Sequence, residues 1–310
     1  MVTPSTSEGA KPRGKGVLFG YPIAHSMSPL MHNTVFSNLN IPWDFDFLES
    51  TDIAEFLRVL KSPECYGCAV TMPHKVAILP YLDDLTPEGR DCGAVNTVLI
   101  QKNPDGSRKY VGHNTDVVGI RESFYQNVKE PEKVFHNKPG MVVGGGGAAR
   151  SAVYSLRRMM QCKPVYLVNR DKGEVDAVIA ECKSKGYGQN LIHVETVEEA
   201  ERLATPGAIV ACVPDFPPKT ENEKQARAVL ETFLNRAEKG AMLEMCYHPS
   251  PWTEIGGIAE KAGWQVILGT EAMIYQGLEQ DKLWTGKTLD ELPKEKVKRV
   301  IAAKLGQPHL

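Results

Sequence analysis

Gly140-Met141-Val142-Val143-Gly144-Gly145-Gly146-Gly147-Ala148-Ala149-Arg150 is the stretch whose reading decides the fold. An apolar strand-like run, Gly140–Val143, meets four consecutive glycines, and helical spacing follows over Ala148–Met160. The run fits G-x-G-x-x-A between a strand and a helix. Gly144 permits the tight turn, Gly146 lets backbone approach a pyrophosphate, and Ala149 allows the helix to pack closely on the strand. The helix N-terminus then offers free N–H groups and partial positive charge to phosphates. Four glycines alone also suit a flexible turn. A second strand at the right distance, Val165–Val168, favours dinucleotide binding by Gly144, Gly145, Gly146, Gly147, Ala148 and Ala149.

That second strand ends in Asn169-Arg170-Asp171-Lys172, where the adenosine ribose is expected. A carboxylate there binds the ribose hydroxyls and repels a 2′-phosphate, whereas arginine or lysine attracts it. Both signs are present. Asn169, Arg170 and Asp171 are read as contacts, with Asp171 favouring NAD, Arg170 stacking beside the adenine, and NADP as the alternative. The bland reading is that both charges are solvated loop residues. Further strands are expected at Ile192–Glu195, Ala208–Cys212, Met242–Met245 and Gln265–Leu268, a βαβ succession.

Upstream, short apolar runs alternate with amphipathic ones, which reads as α/β. Gly16–Gly20, Trp43–Leu48 and Cys68–Thr71 suit strands and Leu30–Leu39 a helix, while Thr97–Ile100 and Lys109–Val111 flank an NPDG turn and suit a hairpin. Residues 128–140, polar with two prolines, read as a connector, and Glu271–Leu305 as a helical C-terminal segment.

At 310 residues the chain exceeds the usual size of one core, so two domains are expected. A net charge of −2 with acids and bases interspersed offers nothing to nucleic acid or membrane. Residues 1–14 are polar, without an apolar signal core, and read as a disordered tail of a cytoplasmic protein. Seven scattered cysteines, an odd count, argue against a disulfide framework. The Cys65–Cys68 CxxC lacks the companions of a zinc site, so no metal is expected.

Four polar clusters remain: His25-Ser26-Met27-Ser28-Pro29, Val70-Thr71-Met72-Pro73-His74-Lys75, Gly93-Ala94-Val95-Asn96-Thr97 and Gly112-His113-Asn114-Thr115-Asp116. With the glycine loop, and in this order, they resemble the shikimate/quinate dehydrogenase family, which carries PIxHSxSPxxHN, VTxPxK, GAxNT and G-x-NTD. The likeness runs from about Gly20 to Gly286. Segments such as GMVVGGGGAARSAVY and NTDVVGIRESFYQN look closest to the stand-alone fungal enzymes of quinate breakdown.

The resemblance implies an α/β protein with an N-terminal α/β substrate domain and a Rossmann-type doubly wound nucleotide-binding domain. The division expected is 1–117, 118–270 and 271–310, the last returning as helices to the substrate domain. It implies that Ser26 and Ser28 bind a substrate carboxylate, although a serine before Pro29 also suits helix capping. Lys75 matches the catalytic lysine. Pro73 can open a helix whose positive end disfavours an ammonium in its first turn. Asp116 matches the partner carboxylate; alone it reads as a turn or cap residue. Thr71, Asn96 and Gln276 match contacts to the substrate ring, and Tyr247 a tyrosine lining the cleft, although each also suits plain packing or turn bonding. Cys212, Val213 and Gly269 complete the expected cofactor set.

Three departures stand out. Ala69 replaces the usual asparagine before VTxPxK, Ala211-Cys212-Val213-Pro214 replaces Asn-x-Thr, and Glu244 replaces the aspartate of D-x-x-Y-x-P. The activity implied is oxidation of quinate to 3-dehydroquinate with NAD, and of shikimate to 3-dehydroshikimate, by a monomer or homodimer. An NADP-dependent biosynthetic shikimate dehydrogenase is the alternative. A non-catalytic sensing module on the same fold is a minor one, because it could dispense with Lys75 and Asp116.

Overall fold

The computed structural model describes residues 14–247, 250 and 252–306. All of the expected tail except Gly14 lies outside them, and Gly14 already belongs to the first strand.

The first half runs β1 (Gly14–Gly20), α1 (Ser28–Asn38), β2 (Trp43–Glu49), α2 (Ile53–Leu60), β3 (Cys65–Val70), α3 (His74–Ala77), β4 (Asp84–Leu85), α4 (Pro87–Cys92), β5 (Thr97–Lys102) and β6 (Arg108–His113). These strands form one mixed sheet in the order β2-β1-β3-β5-β6-β4. β1 pairs in parallel with β2 and β3, while β5 and β6 form the expected antiparallel hairpin. Alternation sends Leu18 and Ala69 to one face and Phe19 and Val70 to the other, and separate apolar clusters cover the two faces. A register shift between Lys15 and Gly16 sets Lys15 opposite Cys65 but Gly16 opposite Gly67. This bulge at Tyr66 turns both thiols of the CxxC to the same side, with sulfurs 3.5 Å apart.

α5 (Asp116–Asn127) and α6 (Pro131–Val134) lead to the second half. The segment expected as a connector is therefore partly helical, and its Phe135 is fully buried. The second half runs β7 (Gly140–Val143), α7 (Gly147–Tyr154), β8 (Val165–Val168), α8 (Lys172–Ser184), β9 (Leu191–His193), α9 (Val197–Arg202), β10 (Ala208–Ala211), α10 (Glu221–Leu234), β11 (Ala241–Glu244), α11 (Glu254–Lys261) and β12 (Gln265–Leu268). Every pairing is parallel, in the order β9-β8-β7-β10-β11-β12, the Rossmann arrangement. Met141 and Val143 face the cluster under α10 and α11, and Val142 faces the opposite one under α7 and α8. Both faces are covered, which is why these strands read as unbroken apolar runs. β9 stops at His193, short of Glu195, because the Glu195 amide donates to Glu199 and Thr196 caps α9.

The C-terminal helices α12 (Gly269–Thr285) and α13 (Lys294–Leu305) break at Gly286, which takes a left-handed φ of 70°. α12 starts where the second sheet ends and packs along α5, then reaches α1 and the first sheet. No helix among the described residues is long and apolar enough to cross a membrane.

Candidate active site

A cavity of about 240 Å³ lies where α12 meets the first sheet. Ser26, Ser28, Thr71, Lys75, Asn96, Asp116, Tyr247, Gly269 and Gln276 all line it. Ser26 and Ser28 hydroxyls converge to 3.1 Å. They do so through a bend rather than an extended run, since Met27 between them is in the right-handed helical region. Ser28 is the first residue of α1, not its cap, so its hydroxyl is free of a capping duty.

Lys75 sits on α3, which Pro73 opens as expected. With only four residues that helix has little dipole of its own, so a neighbouring charge matters more. Lys75 Nζ lies 2.5 Å from Asp116 Oδ2, and both side chains are mostly shielded. His74 anchors the segment: its ring stacks on Phe19 at 4.0 Å, and Nε2 meets the Ser50 carbonyl at 3.1 Å. Asn96 is oriented from behind, its Oδ1 accepting from Thr97 Oγ1 at 2.7 Å and the Thr115 amide at 2.8 Å. Its Nδ2 therefore faces Asp116 Oδ1 at 2.8 Å and Gln276 Oε1 at 3.2 Å. A lysine, a carboxylate and two amides thus form one fixed polar wall.

Gln280, one turn beyond Gln276, lines the same cavity and was not among the residues expected there. Its Nε2 donates to Thr97 Oγ1 at 2.9 Å and toward the Asn96 carbonyl at 3.3 Å. Oε1 is buried, with no hydrogen-bond partner among the described residues. The spacing of Gln276 and Gln280 on one helix face was the available signal. Ala69 pairs across the sheet with Thr97, so the small residue at the departed position lies beside this amide.

A second groove, of about 500 Å³, runs across the carboxyl ends of β7, β8 and β10. Gly144, Gly145, Gly146, Asn169, Arg170, Cys212 and Val213 line it. It opens where strand order reverses, between β7 and β10, the usual place for a ligand in such sheets. Gly144, at φ 125°, makes the turn against Cys212. A Cβ on Gly146 or Gly147 would meet open space, so the start of α7 presents bare backbone, a fit for a dinucleotide pyrophosphate. Ala149 is buried, as close helix–strand packing requires, and Gly147 and Ala148 are half-buried; none of the three lines the groove.

Asp171 and Gly269, also expected at the cofactor, do not line the groove either. The Asp171 carboxylate caps α8, accepting from Gly173 N at 2.8 Å and Glu174 N at 3.2 Å, and does not line the groove. Gly269 belongs to the first cavity, pressed against the carbonyls of Glu244 and Met245.

Glu244 closes β11 almost wholly buried, accepting from Cys246 N at 3.0 Å and Thr253 Oγ1 at 3.1 Å. It thereby brackets the turn that carries Tyr247. Burial pushes its carboxyl up from 4.5 to about 7. Between those values the native chain holds a proton that the unfolded chain has released, so stability falls as pH rises through this window. The loss is at most about 3 kcal/mol. Urea unfolding across pH 4.5–7.5 should show that slope, and Glu244→Gln should flatten it; an unchanged slope in the variant would exclude Glu244 as its source.

The profile of the shikimate dehydrogenase substrate binding domain matches residues 18–98. Quinate dehydrogenase of Emericella nidulans is 44% identical over 312 residues, covering 95% of each chain. The pentafunctional AROM polypeptide of Eremothecium gossypii is 37% identical over 287 residues, which are 90% of this chain and 17% of that protein. Among solved structures, shikimate 5-dehydrogenase of Thermus thermophilus in complex with shikimate superposes with a TM-score of 0.74 at 26% identity, over 94% of this chain and 99% of that one. The ordered motifs, the two sheets and near full-length identity to a quinate dehydrogenase agree: this chain belongs to the shikimate/quinate dehydrogenase family of oxidoreductases.

Proposed function

We propose that the chain oxidises a ring hydroxyl of quinate, and of shikimate as a second substrate, with NAD. The observation carrying this reading is that one cavity is lined by both a converging serine pair and the Lys75–Asp116 pair. A cyclic polyhydroxy acid presents the matching groups: a carboxylate at one end and vicinal hydroxyls at the other. Resemblance to the fungal quinate enzyme favours quinate over shikimate.

Oxidising a secondary alcohol removes a hydrogen with its electron pair from carbon and a proton from oxygen. The nicotinamide, when bound, supplies the acceptor for the former. Lys75 handles the hydroxyl proton, and Asp116 orients the amine. Ser26 and Ser28 hold the carboxylate, while Thr71, Asn96 and Gln276 fix the ring hydroxyls and Tyr247 closes one side. Such positioning can lower a barrier by on the order of 7–11 kcal/mol in favourable cases. The division at 117/118 and 270/271 fits this arrangement, with α12 returning to the substrate side.

Steady-state kinetics with quinate and shikimate, each with NAD+ and NADP+, test the reading. The highest kcat/KM is expected for quinate with NAD+. A preference for shikimate with NADP+ would replace it with the biosynthetic alternative.

A further inference from the structure

The groove that suits the dinucleotide contains a charge arrangement that the glycine motif does not explain. Arg170 and Arg227 are the cations lining it, and among the described residues each already faces a carboxylate. Arg227 pairs with Glu254 at 3.3 Å, and Arg170 pairs with Glu223, which itself lines the groove. Glu174, the other lining acid, accepts from Asn169 at 2.7 Å. Asp171, at the position that would ordinarily read the ribose, caps α8 through Oδ1 and is not among the residues lining the groove.

Glu223 is held in place. It is the third residue of α10 in a capping box with Thr220, and its Oε2 accepts from the amides of Lys219 at 2.8 Å and Thr220 at 2.9 Å. Oε1 is left to Arg170. The two amides and the guanidinium hold this carboxyl down at about 2, so it is charged at every working pH. A ribose 2′-phosphate brings close to two negative charges. At the end of β8, where the ribose is received, it would meet a guanidinium already neutralised and a carboxylate that cannot swing away.

We infer that Glu223, acting from α10 on Arg170, is the residue that selects NAD over NADP in this chain. The inference rests on the NAD reading above and assigns its cause to a residue outside the expected cofactor set. Arg170 alone would favour the phosphate; Glu223 cancels it.

Glu223→Gln tests this with the fold preserved, because glutamine at the third helical position also completes a capping box. Calorimetry with adenosine 2′,5′-bisphosphate and with adenosine 5′-monophosphate reads the 2′-phosphate directly, without turnover. Wild type should bind the monophosphate better. The variant should raise the bisphosphate-to-monophosphate affinity ratio at least tenfold, and Arg170→Ala added to it should remove that gain. The kcat/KM ratio of NADP+ to NAD+ should follow. An unchanged ratio in folded Glu223→Gln protein, or a gain surviving Arg170→Ala, overturns the role of Glu223 while leaving the NAD reading intact. A wild-type preference for the bisphosphate overturns both.

Discussion

Lys75→Ala is expected to lower kcat by on the order of 10²–10⁴-fold, the usual contribution of a positioned proton-transfer group, and to leave the fold unchanged. The fold does not depend on this amine. Its side chain lies at the cavity wall, and the long-range backbone bond of the residue, from Val95 N to its carbonyl at 2.7 Å, is one that alanine retains. Asp116 keeps the Asn96 donor, so the carboxylate is not left bare. The serine pair is untouched, so quinate binding should persist. Thermal unfolding, equilibrium binding and turnover measured on one preparation separate these outcomes. Turnover within a few-fold of wild type, with normal binding, would remove Lys75 from the chemistry.

A large loss of stability is expected from His32→Leu. His32 on α1 and Asp281 on α12 are both fully buried, and their Nδ1 and Oδ1 atoms lie 2.7 Å apart. The imidazole also packs at 4.4 Å from the Phe45 ring and 5.1 Å from Trp284. Removing one member of such a pair leaves an uncompensated polar group in apolar surroundings, which costs about 3–5 kcal/mol. Burial already pushes the Asp281 carboxyl above its ordinary range, against the opposing pull of His32. Without the imidazole that rise is unopposed. The native state then keeps a proton that the unfolded chain gives up, so the deficit widens as pH rises above the ordinary carboxylate range. Urea unfolding at pH 5 and pH 8 should show both the loss and its growth. Replacing both residues by leucine should recover much of it. A single variant as stable as wild type would mean the pair contributes nothing.

The parts of this molecule that could be read from its residues are those in which the chemistry is local. The strand–glycine–helix passage at Gly140–Arg150 needs only neighbouring positions, and Pro73 fixes the start of α3 by its own ring. Lys75 and Asp116 stand forty-one residues apart, and no spacing rule joins them; resemblance supplied the pairing that the geometry displays. Asp171 also caps α8, a duty whose signal was present in the sequence. Asp171-Lys172-Gly173-Glu174 has the form of a capping box, and Oδ1 of Asp171 accepts from the Gly173 and Glu174 amides. Glu223 lies 53 residues from Arg170, and His32 lies 249 from Asp281. Such contacts exist only once two sheets and their covering helices have been assembled, so nothing in the flanking residues announces them.

The paired helices α5 and α12 carry a consequence of their own. Gly119 on α5 lies so near α12 that a Cβ there would come within 2.5 Å of the Ala272 carbonyl and 2.8 Å of Gln276 Cβ. Asp116 begins one of these rods and Gln276 sits midway along the other. The gauge of the cavity is thus set by the thickness of a missing methyl group: any side chain at 119 would act as a shim, pressing on Gln276 and forcing its helix away from the one that Asp116 begins.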